Sequence, residues 1–320
     1  VHTAPYDDIC AVKAILTEEL ASMCSAVLLD PHYAYPAAVH SVSPAQGLVL
    51  TLEDSLIVED EGGRRSKSID DWSVDKIKRA GGDAVKLLAW YRPDASAAVR
   101  EHQQEYVAGI GTACRKFDIP FVFELLVYPL LGSTDHTTDY IEHPGKRAED
   151  VLQSVATFAA PDYGVDLFKL ESPWPAADVP DLDAPGENDA VLEQVRSHFR
   201  EVGRLADRPW VMLSAGATKE QFKRVLRFAY DAGASGYLAG RAIWWDAFQH
   251  FPDGEAMRLE LAQDGVPYVE SLNRLTDAHA VPWTTHPTFR PGGVRLAGAG
   301  ASFRQQYNDI AHAEDRGNNR

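Results

Sequence analysis

Cysteine is scarce in this chain. Cys10, Cys24 and Cys114 are the only three in 320 residues. Their odd number and the lack of any C-x-x-C spacing argue against a disulfide framework or a thiolate zinc site, and for small buried hydrophobes in a reducing compartment. Long hydrophobic runs are missing too. No apolar stretch approaches the roughly 18–20 residues of a membrane-spanning helix, and no signal-type apolar segment stands near the N-terminus, so a cytoplasmic location is the simplest expectation. Positive charge is in deficit, with 31 Lys and Arg against 47 Asp and Glu and a net charge of −16. Such a surface repels phosphate backbones and anionic lipid, which argues against nucleic acid and membranes as partners. A small anionic substrate is still allowed, because a local cluster of lysines or a helix N-terminus can hold it. Neither G-x-G-x-x-G nor G-x-x-x-x-G-K-[ST] occurs, so the glycine-rich turn expected of a doubly wound nucleotide-binding sheet is absent. The eleven histidines include no H-x-H or H-E-x-x-H pair. That weakens a metal-dependent lyase or hydrolase built around Asp30-Pro31-His32, and no cofactor or metal is called for.

What is present is alternation. Short, nearly continuous apolar runs rich in β-branched and aromatic residues recur at Ser25–Asp30, Gly47–Thr51, Ala84–Tyr91, Pro120–Tyr128, Val165–Glu171, Pro209–Ser214 and Gly236–Gly240. They read as strands covered on both faces. Amphipathic stretches lie between them. Asp8–Ser22 reads as a helix ahead of the first strand, Ser96–Phe117 follows an Asp94 placed to cap it, and Arg147–Phe158 has apolar positions at helical spacing. Asn188–Leu205 opens on an Asn-Asp signal, and Thr218–Ala232 carries Thr218 and Gln221 in capping-box relation and ends at Gly233. Repeated strand–helix units with this spacing predict an α/β fold, a (β/α)8 TIM barrel spanning residues 1–289. Seven strands are counted, not eight. With a chain beginning at Val1, the expectation is that the first strand is missing from the sequence and lies ahead of it. Residues 290–320, with the segment PGGVRLAGAGAS and a polar tail, read as a Gly-rich, partly disordered C-terminal extension.

Barrel active sites sit at the C-terminal ends of the strands, so charges embedded in apolar strands are the informative ones. They are Asp30 in AVLLDP, Lys86 in AVKLLAWY, Glu124 in FVFELLVY, and Lys169 with Glu171 in DLFKLESP. Asp30 before Pro31 can equally end a strand and start a turn, Lys86 can snorkel from an edge, and Lys169 with Glu171 can be a structural ion pair. Glu124 has no polar neighbour to explain it. Burying any of these alone costs several kcal/mol, and together they favour a site. Imine catalysis fits them. An unprotonated Lys169 attacks a ketone, a nearby Lys86 lowers its pKa, and Glu124, with a raised pKa, moves protons. Two glycine-bearing motifs, LSAG (Leu213–Gly216) and AGRA (Ala239–Ala242), end the last two strands. They are either tight turns or the phosphate site usual after such strands, with Ser214, Ala215, Gly216, Gly240 and Arg241 as the holding residues and Glu171 beside the substrate.

The stretches SAVLLDPHYAYPA, DAVKLLAWYRPD, IPFVFELLVY, VDLFKLESP, PWVMLSAGATKEQFKRVLRFAYDAGA and YLAGRAIW, in this order, resemble the tagatose-1,6-bisphosphate aldolase family, class I aldolases of the DeoC/LacD-like superfamily. The likeness runs from about Thr17 to Asn273. It implies that Lys169 is the Schiff-base lysine and Glu124 the acid/base glutamate, that Lys86 and Asp30 stand near the reacting carbons, and that Ser214, Gly216, Gly240 and Arg241 hold a phosphate. The implied activity is a lyase that cleaves a ketose phosphate or bisphosphate to dihydroxyacetone phosphate and an aldehyde. Related aldolases take sulfofructose 1-phosphate or deoxy-ketogluconate phosphates, and a non-catalytic phosphosugar-binding barrel is the remaining alternative. Homo-oligomerisation is compatible with the sequence. The family's first strand with its Asp-Gln-Arg-Gly-type motif has no counterpart here, and ESPWPAADVPDLDAPG after Lys169 is richer in Pro and Trp than the family pattern.

Overall fold

The apolar runs fold as strands because nearly every residue in them can be buried. In the longest, Ala84–Trp90, all seven positions are. The structure is a computed structural model that describes residues 4–182, 189–289, 293–295 and 300–306. The strands are β1 (Ala26–Leu29), β2 (Gly47–Thr51), β3 (Val58–Asp60), β4 (Gly63–Arg65), β5 (Ala84–Trp90), β6 (Phe121–Leu126), β7 (Leu167–Leu170), β8 (Trp210–Leu213) and β9 (Gly236–Leu238). Seven of them form one sheet in the order β1-β2-β5-β6-β7-β8-β9, every neighbouring pair parallel. The helices are α1 (Tyr6–Leu20), α2 (Ala34–Ala38), α3 (Val74–Arg79), α4 (Ala97–Phe117), α5 (Ala148–Phe158), α6 (Asp189–Ala206), α7 (Lys219–Asp231), α8 (Arg241–Phe248), α9 (Gly254–Glu260), α10 (Val266–His279) and α11 (Phe303–Gln306).

The sheet is curled, and its two faces bury different things. Outward residues such as Leu50, Val85, Leu87, Phe121, Phe123, Phe168, Trp210 and Met212 pack with the helices in the main core. Inward residues stack in layers, as side chains do inside such barrels. Val49, Ala84 and Val122, with Leu28 and Leu167, make a lower layer. Leu88, Trp90, Leu126, Tyr128, Leu213 and Ala215 make an upper one. Between the layers, on the same inward parity, lie Thr51, Lys86, Glu124 and Lys169.

β1 and β9 are the sheet's edges, and no ladder joins them among the described residues. The helices close the ring instead. Arg258 of α9 pairs with Glu18 and Glu19 of α1. Tyr237 of β9 donates to Asn273 Oδ1 at 2.7 Å, and Asn273 Nδ2 donates to the Met23 carbonyl, just ahead of β1, at 2.9 Å.

Helix starts follow local chemistry, with one correction. Asp94 does not cap α4. It forms a bidentate pair with Arg92, and Ser96 is the cap, accepting from the Val99 N–H. The Thr218–Gln221 capping box forms as expected. Asn188, read as the cap of α6, lies outside the described residues, as do 290–292, 296–299 and 307–320 of the expected extension. Among the described residues no helix is long and apolar enough to cross a membrane.

The sequence did not reveal the β3–β4 hairpin, which packs on the barrel rim. Gly63 makes that possible. Its φ is +127°, and a Cβ there would sit 2.3 Å from the Tyr128 hydroxyl. Beside it, fully buried Arg64 stacks its guanidinium 4.8 Å from the ring centres of both Trp90 and Tyr128.

Candidate active site

Strand register assembles the central cluster. Glu124 pairs with Lys169 across β6 and β7. Lys86 pairs with Val122, one inward step below Glu124, so its four-carbon stem reaches upward. The result is a carboxylate gripped on both sides: Lys169 Nζ is 2.8 Å from Glu124 Oε1 and Lys86 Nζ is 2.7 Å from Oε2. Glu53, two residues past the end of β2, forms a further ion pair with Lys86, and Tyr140 donates a hydrogen bond to Glu124 Oε1. Lys169 donates to the same phenol at 3.3 Å. Lys86 and Lys169 are each 5% exposed and Glu124 is 0% exposed.

Burial and the facing charges together set the electrostatics. Burial pulls Lys169 below its ordinary value; Glu124 opposes this and the Lys86 ammonium adds to it. For Glu124, burial pushes upward, but Lys169 and Lys86 overcome it and hold the carboxyl below the usual range. An apolar strand alone would raise the Glu124 pKa, as expected above; the two ammonium groups converging on it reverse the direction. Burial raises Glu53, against Lys86. Burial alone would lower Lys86, yet Glu124 and Glu53 together hold it above its ordinary value. Of the Lys86–Glu53 pair, the lysine keeps the proton, since it faces two carboxylates.

Two of the singled-out residues are not bonded to this cluster. Asp30 sits in the turn after β1, where Oδ1 accepts the N–H groups of His32 at 3.1 Å and Tyr33 at 2.8 Å and Oδ2 lies 3.4 Å from Lys13. Glu171 is 2% exposed and bound elsewhere. It accepts the Val127 N–H at 2.6 Å and pairs with Lys146 at 2.8 Å. The ion pair considered between Lys169 and Glu171 is therefore replaced by Lys146–Glu171, with Glu142 also 3.0 Å from Lys146.

Glu53, Tyr140, Lys146 and Glu142 were not apparent in the sequence. The last three lie on the loop between β6 and α5, which folds back across the barrel mouth. The Glu142 N–H donates to the Ala215 carbonyl at 2.9 Å. Ile141 lies against Gly216, where a Cβ would come within 3.2 Å of it. The AGRA and LSAG loops come together beside this loop. Ala215 and Gly216 both have positive φ, 45° and 87°, Ser214 is buried, and Gly240 is the N-cap of α8 without a side-chain cap. Arg241 opens that helix with its guanidinium 5.5 Å from the Tyr140 ring centre. Its Nη2 is buried with no partner among the described residues. Burial draws its pKa down, with Asp139 opposing. Among the described residues no three His, Cys, Asp or Glu side chains are grouped so as to hold a metal ion.

The profile of the "DeoC/LacD family aldolase" group matches residues 2–246. The chain belongs to the DeoC/LacD family of aldolases. As a member, this DeoC/LacD family protein is an aldolase, a carbon–carbon lyase. A tagatose 1,6-diphosphate aldolase of Listeria monocytogenes serotype 4b is 35% identical over 277 residues, covering 85% of this chain and 80% of the relative. A tagatose 1,6-diphosphate aldolase 2 of Streptococcus mutans is 34% identical over 277 residues, covering 85% and 83%. In fold, the DeoC/LacD family chain matches a solved archaeal fructose 1,6-bisphosphate aldolase with a TM-score of 0.54, 16% identity and 83% and 82% coverage.

Proposed function

We propose that the protein is a class I aldolase in which Lys169 forms a Schiff base with a ketose phosphate of the tagatose 1,6-bisphosphate type, giving dihydroxyacetone phosphate and an aldehyde. The observation that carries this is the buried Lys86–Glu124–Lys169 row between two apolar layers. A desolvated lysine beside a second ammonium releases its proton more readily, which is what an attacking amine requires. The protonated imine then draws electrons from the breaking C–C bond. Glu124, held as a carboxylate, takes the proton from the hydroxyl whose carbon becomes the aldehyde. Lys86 stays charged and fixes Glu124 in place. The substrate class is supported by the printed activities of the two relatives above.

The phosphate is assigned to Ser214, Ala215, Gly216, Gly240 and Arg241. The open Nη2 of Arg241 and the first-turn N–H groups of α8 offer the donors an anion needs. Glu171, paired with Lys146, acts as a support under the loop that covers the site. Asp30, directly after β1, is kept as the further carboxylate near the reacting carbons.

Incubation with dihydroxyacetone phosphate and borohydride, followed by peptide mapping, tests the reading. A reduced adduct on Lys169 is the expected result. No adduct, or one on another lysine, overturns it. A panel of tagatose, fructose and sulfofructose phosphates, scored by kcat/KM, identifies the sugar.

A further inference from the structure

We propose that Tyr140 is a catalytic residue of imine formation, relaying protons between Lys169, Glu124 and the oxygen that leaves the attacked carbon; this rests on the Schiff-base reading above. Three atoms define the relay. Lys169 Nζ donates to the Tyr140 hydroxyl at 3.3 Å, that hydroxyl donates to Glu124 Oε1, and Oε1 is itself 2.8 Å from Nζ. An ammonium only donates and a carboxylate only accepts. Of the described groups bonded to Lys169, the phenol alone does both, and it touches the atom that becomes the imine nitrogen.

The chemistry needs such a group. Imine formation takes two protons from the Lys169 ammonium and places both on the substrate's carbonyl oxygen, which departs as water. The nitrogen lone pair forms the new bond as the carbonyl π pair moves to oxygen. Later the C–O bond breaks with its electrons on the oxygen while nitrogen closes the C=N bond. Glu124 takes the first proton on Oε1, which already faces both Lys169 and the Tyr140 hydroxyl, so the phenol is the group placed to carry that proton onward. Tyr140 passes the second nitrogen proton to the oxygen to give the neutral carbinolamine. It then gives the oxygen its own proton while receiving the one stored on Glu124. Tyr140 ends neutral, Glu124 ends as the carboxylate, and two protons have moved from nitrogen to water.

The ring is fixed more firmly than a loop tyrosine on a surface requires. It meets Trp90 edge-on at 6.2 Å and the Arg241 guanidinium at 5.5 Å. Its neighbours Ile141 and Glu142 dock on Gly216 and Ala215. Arg64 holds the same loop through the Thr137 carbonyl. The hydroxyl is thus placed by both the loop and the end of β8.

The test is Tyr140→Phe in the full chain, which keeps the ring contacts and removes only the hydroxyl. The probe is dihydroxyacetone phosphate, with borohydride quenching at timed intervals and intact-mass readout. The expected rate of adduct formation falls about 100-fold, within the range for a lost proton-transfer group. Half-saturation and melting temperature stay near wild type, and the solvent deuterium isotope effect on adduct formation changes. Tyr140→Phe forming the adduct at the wild-type rate or faster overturns the relay and makes the side chain a cover over Lys169. A raised half-saturation with an unchanged maximal rate overturns it in favour of substrate positioning. If wild type itself forms no adduct, the Schiff-base reading fails and the relay falls with it.

Discussion

Lys86 and Lys169 hold opposite oxygens of one carboxylate, at 2.7 and 2.8 Å from Glu124. That carboxylate stands between two like charges, with Glu53 as the second counter-charge to Lys86.

Glu124→Gln therefore does more than remove a proton carrier. The variant should lose about 10²- to 10⁴-fold in kcat, the usual range for a general acid or base. It should also lose roughly 3–5 kcal/mol of stability near neutral pH, as a broken buried ion pair does. In the variant, Lys169 loses the partner that favoured its charge, so its folded pKa drops further below the unfolded one. The unfolded chain then binds more protons, and stability must rise with pH as Lys169 neutralises. Urea titrations at several pH values read both effects, and a stability that falls over the same range contradicts the account.

Adduct formation with dihydroxyacetone phosphate should quicken with rising pH, with a midpoint below the ordinary lysine value, because burial and Lys86 pull Lys169 down. Lys86→Met removes one of those causes, so the midpoint should move up. Pre-steady-state trapping across pH measures it. An unmoved or lowered midpoint would show that Lys86 does not tune the nucleophile.

Arg241→Ala should raise half-saturation for phosphorylated substrate about 10- to 100-fold, the worth of one charge-assisted hydrogen bond. Trapping of unphosphorylated dihydroxyacetone should be unchanged. Equal effects on the two ketones would place Arg241 away from the phosphate.

Glu171→Ala removes a partner of Lys146, whose side chain is 0% exposed. Glu142 still pairs Lys146, so the loss should be about 1–3 kcal/mol in urea unfolding, from a half-paired ammonium and a Val127 N–H left without its acceptor. The double variant Glu171→Leu, Lys146→Met removes the ammonium as well and should recover part of the loss. A double variant as unstable as the single one rules out the half-paired ammonium as a cause.

The strands were legible because burial on both faces leaves an uninterrupted apolar signal, and Lys169 and Glu124 stood out against it. The β3–β4 hairpin was not, since strands of three residues such as Val58–Asp60 and Gly63–Arg65 carry charge and no clear period. Glu53 follows the regular end of β2 in the sequence TLED, where an acidic pair looks like a turn. Tyr140 and Lys146 reach the site through tertiary contacts of a polar loop, and no local pattern encodes those. Asp30 shows the converse. Its charge in AVLLDP was visible, but of its two readings the structure displays the turn.

β6 carries two messages interleaved at every second residue. Phe121, Phe123 and Leu125 speak to the helices, and Val122, Glu124 and Leu126 to the interior. Loss or gain of one residue inside this strand would swap their phase, sending the carboxylate into the hydrophobic shell and phenylalanines towards Lys169. The six residues of β6 can thus drift by substitution but not by changes in length, which leaves length variation to the loops around the mouth.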